Sequence, residues 1–282
     1  MASSFQDKKL NPQKYILDTS QKILFIRHGQ TICNSDKNYN TRKFNPDYID
    51  SHLSENGKKQ CLKLQSILEK FNIEAIYVSP LYRSLETVKY MVENLNYKGE
   101  IIVHPLITEC PNFIDDFIFD INQTKEDFRE LKINWNIFDE SIKQYNKWEQ
   151  NFFYFEFFNK LDEKIKNIKY NKMLDLYKNE NLNELKKEIV EEIVKNIFKE
   201  EKNIKPFESF KHVYERFLEF KNFLMNKYKD SMNDLNKKII VITHGDFLRV
   251  ITNKYLYNND DENFFPKDCY HYKNCDIISI LT

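Results

Sequence analysis

A chain of 282 residues is long enough for one large domain with its own buried core, which excludes a small scaffold stapled by disulfides or metal. Its 43 basic residues balance 43 acidic ones, leaving no net field to attract nucleic acid or an anionic membrane. No run approaches the roughly 20 apolar residues that cross a bilayer. The opening Met1-Ala2-Ser3-Ser4-Phe5-Gln6 carries neither a signal-peptide core nor a second-position glycine for myristoylation, so a cytoplasmic protein is expected.

After a polar, aperiodic opening, Lys22-Ile23-Leu24-Phe25-Ile26-Arg27 is a short apolar run that ends in His28-Gly29, the pattern of a buried strand feeding a loop. Ser54 caps an expected helix with Cys61, Leu64 and Leu68 on one face. A second strand, Ala75-Ile76-Tyr77-Val78, leads to Ser79-Pro80, read as a cap and a first-turn proline. Leu81, Leu85, Val88, Val92 and Leu95 then mark the next helix. A third run, Ile101-Ile102-Val103, leads to Glu109.

The pattern then breaks. Residues from about 110 to 206 are far too many for an ordinary α/β connection and are read as a helical insertion in a single domain spanning 1–282. Within it Leu182, Leu185, Ile189, Ile193 and Ile197 repeat with helical period, and an aromatic run covers Phe152 to Phe158. Helices packed on the main domain are the plainer expectation, a substrate lid the sharper one. The α/β pattern resumes with a helix carrying Phe210, Val213, Phe217, Phe220 and Leu224. The strand Ile239-Ile240-Val241-Ile242-Thr243 follows, ending in a second His-Gly, and then a helix from about Asp246 and a final run from Asp276. Strands alternating with helices predict a three-layer α/β/α sandwich with a mostly parallel central sheet, whose ligands sit beyond the carboxyl ends of the strands.

Only four glycines occur, Gly29, Gly57, Gly99 and Gly245, and two of them follow a histidine. In so glycine-poor a chain a glycine suggests a place where the backbone needs positive φ or where a ligand comes close to the main chain. The strand ends deliver Arg27, His28 and Gly29, then Arg83, Glu109, His244 and Gly245, which together make a pocket for a compact oxyanion. Five cysteines, Cys33, Cys61, Cys110, Cys269 and Cys275, read as free thiols. Cys269, His271 and Cys275 lack a paired C-x-x-C and a fourth ligand, so no metal is expected.

Arg27-His28-Gly29-Gln30-Thr31 with Asn34, Leu53-Ser54 with Gly57 and Gln60, Ser79-Pro80-Leu81-Tyr82-Arg83-Ser84 with Thr87, and His244-Gly245 with Leu248-Arg249 resemble, in order, the motifs of the histidine phosphatase superfamily, the branch that includes phosphoglycerate mutases. The resemblance covers about 22–109 and 210–282 and implies the phosphoglycerate mutase-like fold. It also implies a metal-free, cofactor-free phosphoryl transfer in which His28 is the nucleophile, Arg27, Arg83 and His244 neutralise the phosphoryl oxygens, and Glu109 is the acid and base. Thr108-Glu109-Cys110-Pro111 departs from the mutase context, and Glu86, Asp115 or Asp116 are the alternatives. Gln30, Thr31 and Asn34, with Gly29 and Gly245, are expected at the substrate, though loop hydrogen bonding explains Gln30 and Asn34 equally. Arg249 reads as an ion-pair residue.

A phosphatase acting on a phosphorylated small molecule or phosphoprotein fits better than a mutase, because the residues after the acid are not mutase-like and the insertion is large. A phospho-ligand-binding protein without strong catalysis is the alternative of a different class. Substrate identity and oligomeric state are not legible in the residues.

Overall fold

The computed structural model describes residues 21–38, 45–95, 97–110, 114–143, 208–253 and 270–279, with scattered positions between 179 and 191. Its elements in chain order are β1 (Ile23–Arg27), α1 (Ile32–Ser35), α2 (Glu55–Leu68), β2 (Asn72–Val78), α3 (Tyr82–Val92), β3 (Glu100–Val103), α4 (Ile121–Asp127), α5 (Asn136–Ile142), α6 (Phe210–Lys227), β4 (Lys237–Thr243), α7 (Gly245–Thr252) and β5 (Ile277–Ser279). The strands form one sheet in the order β3-β2-β4-β1-β5. All neighbours are parallel except β5, which runs antiparallel to β1.

Successive strand residues point to opposite faces, so a strand buried on both faces reads as a continuous apolar run. One face takes Ile23, Phe25, Ala75, Tyr77, Ile239 and Val241 and packs them against α6 and α7 through Phe210, Phe217, Phe220 and Phe247. The other takes Leu24, Ile26, Ile76, Val78, Ile240 and Ile242 and packs them against α2 and α3 through Leu64, Leu68, Leu85 and Val88. This is the expected three-layer sandwich, each buried aliphatic side chain contributing about 1.5–3 kcal/mol relative to exposure.

The stretch read as inserted begins inside this architecture. Asn134 accepts from Val103 N at 3.0 Å and donates its own N–H to Ile101 O at 2.8 Å, extending the β3 edge. Ile121, Phe128, Phe138 and Ile142 join the second core face. Its first helices are too short to show a hydrophobic period, which is why the sequence pattern gives no sign of them. Leu185 is buried; Leu182, Ile189, Ile193, Ile197 and the run Phe152 to Phe158 lie outside the described residues. Among the described residues no helix is long and apolar enough to cross a membrane.

Two local expectations are corrected. Ser79 does not cap α3, which starts at Tyr82 with Leu81 at the cap position and no side-chain cap bond from it. Asp50 Oδ1 accepts from Tyr82 N at 2.8 Å instead, while the Ser79 hydroxyl lies 2.6 Å from His244 Nε2 and accepts from Leu81 N at a long 3.4 Å. None of the four glycines has a positive φ; that conformation falls on Asp50, Asp120, Lys132 and Cys275. What Gly57 supplies is room: a Cβ there would lie 2.0 Å from the Gln30 carbonyl oxygen.

Gly57→Ala is therefore expected to destabilise the fold by about 1–3 kcal/mol, the usual cost of overpacking, visible as a lower melting temperature. Gly99→Ala, whose methyl would first meet the end of the Tyr97 side chain rather than backbone, is the control. Equal melting temperatures for the two variants would contradict the packing argument.

Candidate active site

The first four strands run parallel, so their carboxyl ends lie along one edge, and register decides what meets there. Arg27 on β1 lies opposite Thr243 on β4. The next residues, His28 and His244, are thereby neighbours across the ladder, with His28 N donating to Thr243 O at 2.9 Å and ring centroids 5.1 Å apart. On the other side of β4, Val78 pairs with Ile242, and Ser79 Oγ reaches His244 Nε2 at 2.6 Å, with Ser84 Oγ at 3.4 Å.

His28 is buried, and its protonation follows from its partners. Nδ1 lies 2.7 Å from the Gly29 carbonyl oxygen, which can only accept, so Nδ1 carries a proton. Arg83 Nε, which can only donate, lies 3.3 Å from Nε2, so Nε2 presents a lone pair. Burial, then the Arg83 and Arg27 charges, hold the ring well below the ordinary histidine range. His28 is a neutral imidazole whose Nε2 lone pair faces the Arg83 guanidinium. His244 is depressed likewise, by burial and then by Arg83 and His28.

The guanidinium groups are held differently. Arg83, 1% exposed, donates Nη2 to Asp116 Oδ1 at 2.8 Å and Nη1 to the Asp115 carbonyl, which leaves Nε aimed at His28. Burial works against its charge, but Asp116 and Asp115 hold its pKa up. Arg27 donates Nη1 to the Tyr272 carbonyl. Its guanidinium lies against the start of α7, where a Cβ at Gly245 would come within 3.0 Å of Nε. Arg27 Nε and His244 Nδ1 are both buried without a protein partner. Buried polar atoms are nearly always satisfied, so two orphaned nitrogens at this edge are open to an external acceptor.

Glu109 sits at the amino end of α7, where Oε1 accepts from Phe247 N at 2.8 Å and from Cys110 N at 3.0 Å, and Oε2 from Asp246 N at 3.2 Å. Burial, then Asp246, push its carboxyl up to about 7 against the opposing pull of Arg83 and the backbone donors. Its loop is fastened from α6 by a residue that sequence reading missed. Arg216 donates to the carbonyls of Leu106, Thr108 and Glu109 at 2.6, 2.9 and 3.1 Å. It pairs with both oxygens of Glu208 at 2.7 and 2.9 Å and lies 5.0 Å from the Phe247 ring centroid. An arginine three positions beyond Val213, on a helix otherwise read by its apolar face, was the available signal.

The remaining expected residues organise the loop. Thr31 and Asn34 form a reciprocal capping box at α1, Asn34 N to Thr31 Oγ1 at 2.8 Å. Gln30 Oε1 accepts from Ser54 and Asn56, and Gln30 N donates to Gln60. Gly29 N donates to Thr87 Oγ1 at 3.0 Å, and Thr87 Oγ1 in turn donates to Arg83 O. Among the alternative acids, Glu86 Oε2 accepts from Leu53 N at 2.5 Å and Asp116 is paired with Arg83. Arg249 pairs with Asp246 at 2.9 Å, as expected. Among the described residues no group of three His, Cys, Asp or Glu side chains could hold a metal ion; Cys269 lies outside them.

Residues 23–147 match the family model of the histidine phosphatase superfamily (branch 1), a span that runs beyond residue 110 into the stretch read as inserted. A Schizosaccharomyces pombe relative described as a probable phosphatase is 38% identical over 94 residues, 31% of this chain and 40% of that protein. The chain thus matches less than half of that relative's length. Among solved structures, Bacillus stearothermophilus YhfR aligns at 15% identity over 92% of this chain and 90% of its own, TM-score 0.43. A mycobacterial glucosyl-3-phosphoglycerate phosphatase aligns at 14% identity over 82% and 76%, TM-score 0.40.

The Arg216–Glu208 pair yields a signed stability prediction. Its partners hold the Glu208 carboxyl down at about 2, below its ordinary 4.5, so it contributes stability that is present above about pH 4.5 and lost as pH falls through about 2. Glu208→Gln should cost about 3 kcal/mol at pH 7, the low end for breaking a buried pair because Arg216 keeps its carbonyl acceptors. Urea unfolding at pH 7 and pH 3 should show the gap narrowing at the lower pH; a gap independent of pH would contradict the assignment.

Proposed function

We propose that this chain, whose residues 23–147 match the family model of the histidine phosphatase superfamily (branch 1), acts as a member of that family and hydrolyses phosphomonoesters through a phosphohistidine at His28, without a metal ion. The observation that carries the reading is the His28 Nε2 lone pair beside two buried nitrogens, Arg27 Nε and His244 Nδ1, that have no protein partner.

In the first step Nε2 attacks phosphorus while the bond to the leaving oxygen breaks. The proton stays on Nδ1, donated to the Gly29 carbonyl oxygen, which helps to bear the positive charge that the ring acquires. Arg27 and Arg83 oppose the charge on the phosphoryl oxygens. His244 adds a neutral donor at Nδ1, with its Nε2 accepting from Ser79, and the two guanidinium groups take the part that a metal ion would otherwise play. Glu109, protonated, gives its proton to the leaving oxygen. In the second step the same carboxylate takes a proton from water as that water attacks the phosphohistidine, which releases phosphate and restores both His28 and the acid.

A carboxyl at about 7 serves both halves near neutrality, protonated for the first and ionised for the second. Arg83 is held by the Asp116 carboxylate and the Asp115 carbonyl, an acidic neighbour rather than a further cation. That favours a substrate whose single phosphate is its main anionic group, and it supports a phosphatase over a mutase that must hold a carboxylated phosphate ester.

Turnover of an aryl phosphate in the presence of chelator is expected from the parent and not from His28→Ala. Equal turnover by the variant would overturn the phosphohistidine route. In the parent, kcat/KM should fall with unit slope above about pH 7 as Glu109 loses its proton, with no acid limb near pH 6.5 because His28 is already neutral there. Glu109→Gln should lose about 10²–10⁴-fold toward alkyl phosphates, less toward aryl phosphates with good leaving groups, and lose the alkaline break. Persistence of that break in Glu109→Gln would remove Glu109 from its role.

A further inference from the structure

Two sulfurs outside the catalytic set meet beside the nucleophile. Cys61 on α2 and Cys275 in the turn before β5, 214 residues apart in the chain, bring their Sγ atoms to 3.9 Å. Both are free thiols; Cys61 is buried and Cys275 partly exposed. Each touches the His28 loop from a different side. A Cβ at Gly29 would lie 2.8 Å from Cys61 Sγ. Cys275 N donates to the Arg27 carbonyl at 3.0 Å, and the adjacent Asn274 Nδ2 donates to the His28 carbonyl at 3.0 Å.

We propose that Cys61 and Cys275 are a modification site for a hydroperoxide, which joins them in a reversible disulfide and thereby displaces the His28 loop. The effect on turnover rests on the phosphatase reading; the disulfide does not. The oxidant reaches the pair from the Cys275 side. One sulfur, as thiolate, attacks a peroxide oxygen; the O–O bond breaks, and the departing hydroxide or alkoxide takes up a proton, leaving a sulfenic acid. The second thiol then attacks that sulfur, the S–S bond forms as the S–O bond breaks, and the hydroxyl leaves with the thiol proton as water. Two electrons pass from the pair to the peroxide, and a dithiol reductant reverses the change.

A disulfide holds its sulfurs about 2.05 Å apart, so the pair must close by about 1.8 Å. That closure pulls α2 and the 273–275 turn toward each other. The Gly29 backbone and the carbonyls of Arg27 and His28 lie against those two elements. His28 is oriented through the Gly29 carbonyl, so the nucleophile moves with them.

The test uses the full chain treated with hydrogen peroxide, then alkylated and digested without reductant. A peptide linking Cys61 to Cys275, lighter by two hydrogens and lost on treatment with dithiothreitol, is expected. Its absence would overturn the proposal. Oxidised enzyme should lose about tenfold or more in kcat/KM, the scale expected when catalytic groups move by an ångström, and recover with dithiothreitol. Cys61→Ser and Cys275→Ser should each keep the reduced parent's rate in peroxide. A cross-linked enzyme of unchanged rate would overturn the link to His28. If the reduced chain turns over nothing, the phosphatase reading alone fails. The cross-link is then judged by the peptide, and the loop by amide exchange at Gly29, Gln30 and Thr31, whose unchanged protection would count against displacement.

Discussion

The parallel pairing of β1 with β4, Arg27 opposite Thr243, is the constraint on which the site depends. It makes His28 and His244 neighbours at one ladder spacing, although 216 positions separate them in the sequence, as their numbers show. A slip of one residue would turn every β1 side chain to the opposite face. The register cannot slip, because both faces are committed: Phe25 belongs to the core under α6 and α7, Leu24 and Ile26 to the core under α2 and α3. The precision of the two histidines is a by-product of two apolar cores that each demand the same alignment.

Exclusion of water then sets the chemistry of three groups at once. It keeps the two imidazoles neutral among guanidinium groups, which would repel a further cation. It raises Glu109 toward neutrality, where a carboxyl can both give and take a proton. It also makes an unpartnered donor costly, and Arg27 Nε and His244 Nδ1 are two such buried atoms. The chain has no net charge, so what attraction there is for an oxyanion is local, built from strand ends and the first turns of α3 and α7.

Support for these groups comes from segments remote in sequence. Residues 114–116 fasten Arg83, and Arg216 with Glu208 fastens the loop of Glu109. A buried ion pair is a poor source of net stability, since both ions give up their hydration. Here its geometry does something hydrophobic residues could not, because a guanidinium can collect three loop carbonyls and a carboxylate in one plane. Three carbonyls that point inward from an irregular loop would otherwise be buried without donors.

The amino-acid sequence by itself determined the layers, the mostly parallel sheet and the identity of the groups at its edge. Those are local properties: apolar runs of strand length, helical periods at Leu64 and Leu68 or Leu85 and Val88, and His-Gly pairs at two strand ends. Ser54 as a cap was legible for the same reason. What only the tertiary structure decided concerns partners. Asp50 rather than Ser79 accepts from Tyr82 N at the start of α3, while the Ser79 hydroxyl lies beside a histidine at the end of another strand. The glycines serve close packing against Gln30 and Arg27 rather than left-handed turns. Thr31 and Asn34 spend their hydrogen bonds on each other. Arg216 breaks the apolar face of its helix without naming its partners, and the Cys61–Cys275 contact leaves no trace in any sequence period. Such pairings depend on which backbone groups are left unsatisfied once distant elements pack, and that is decided by the whole fold.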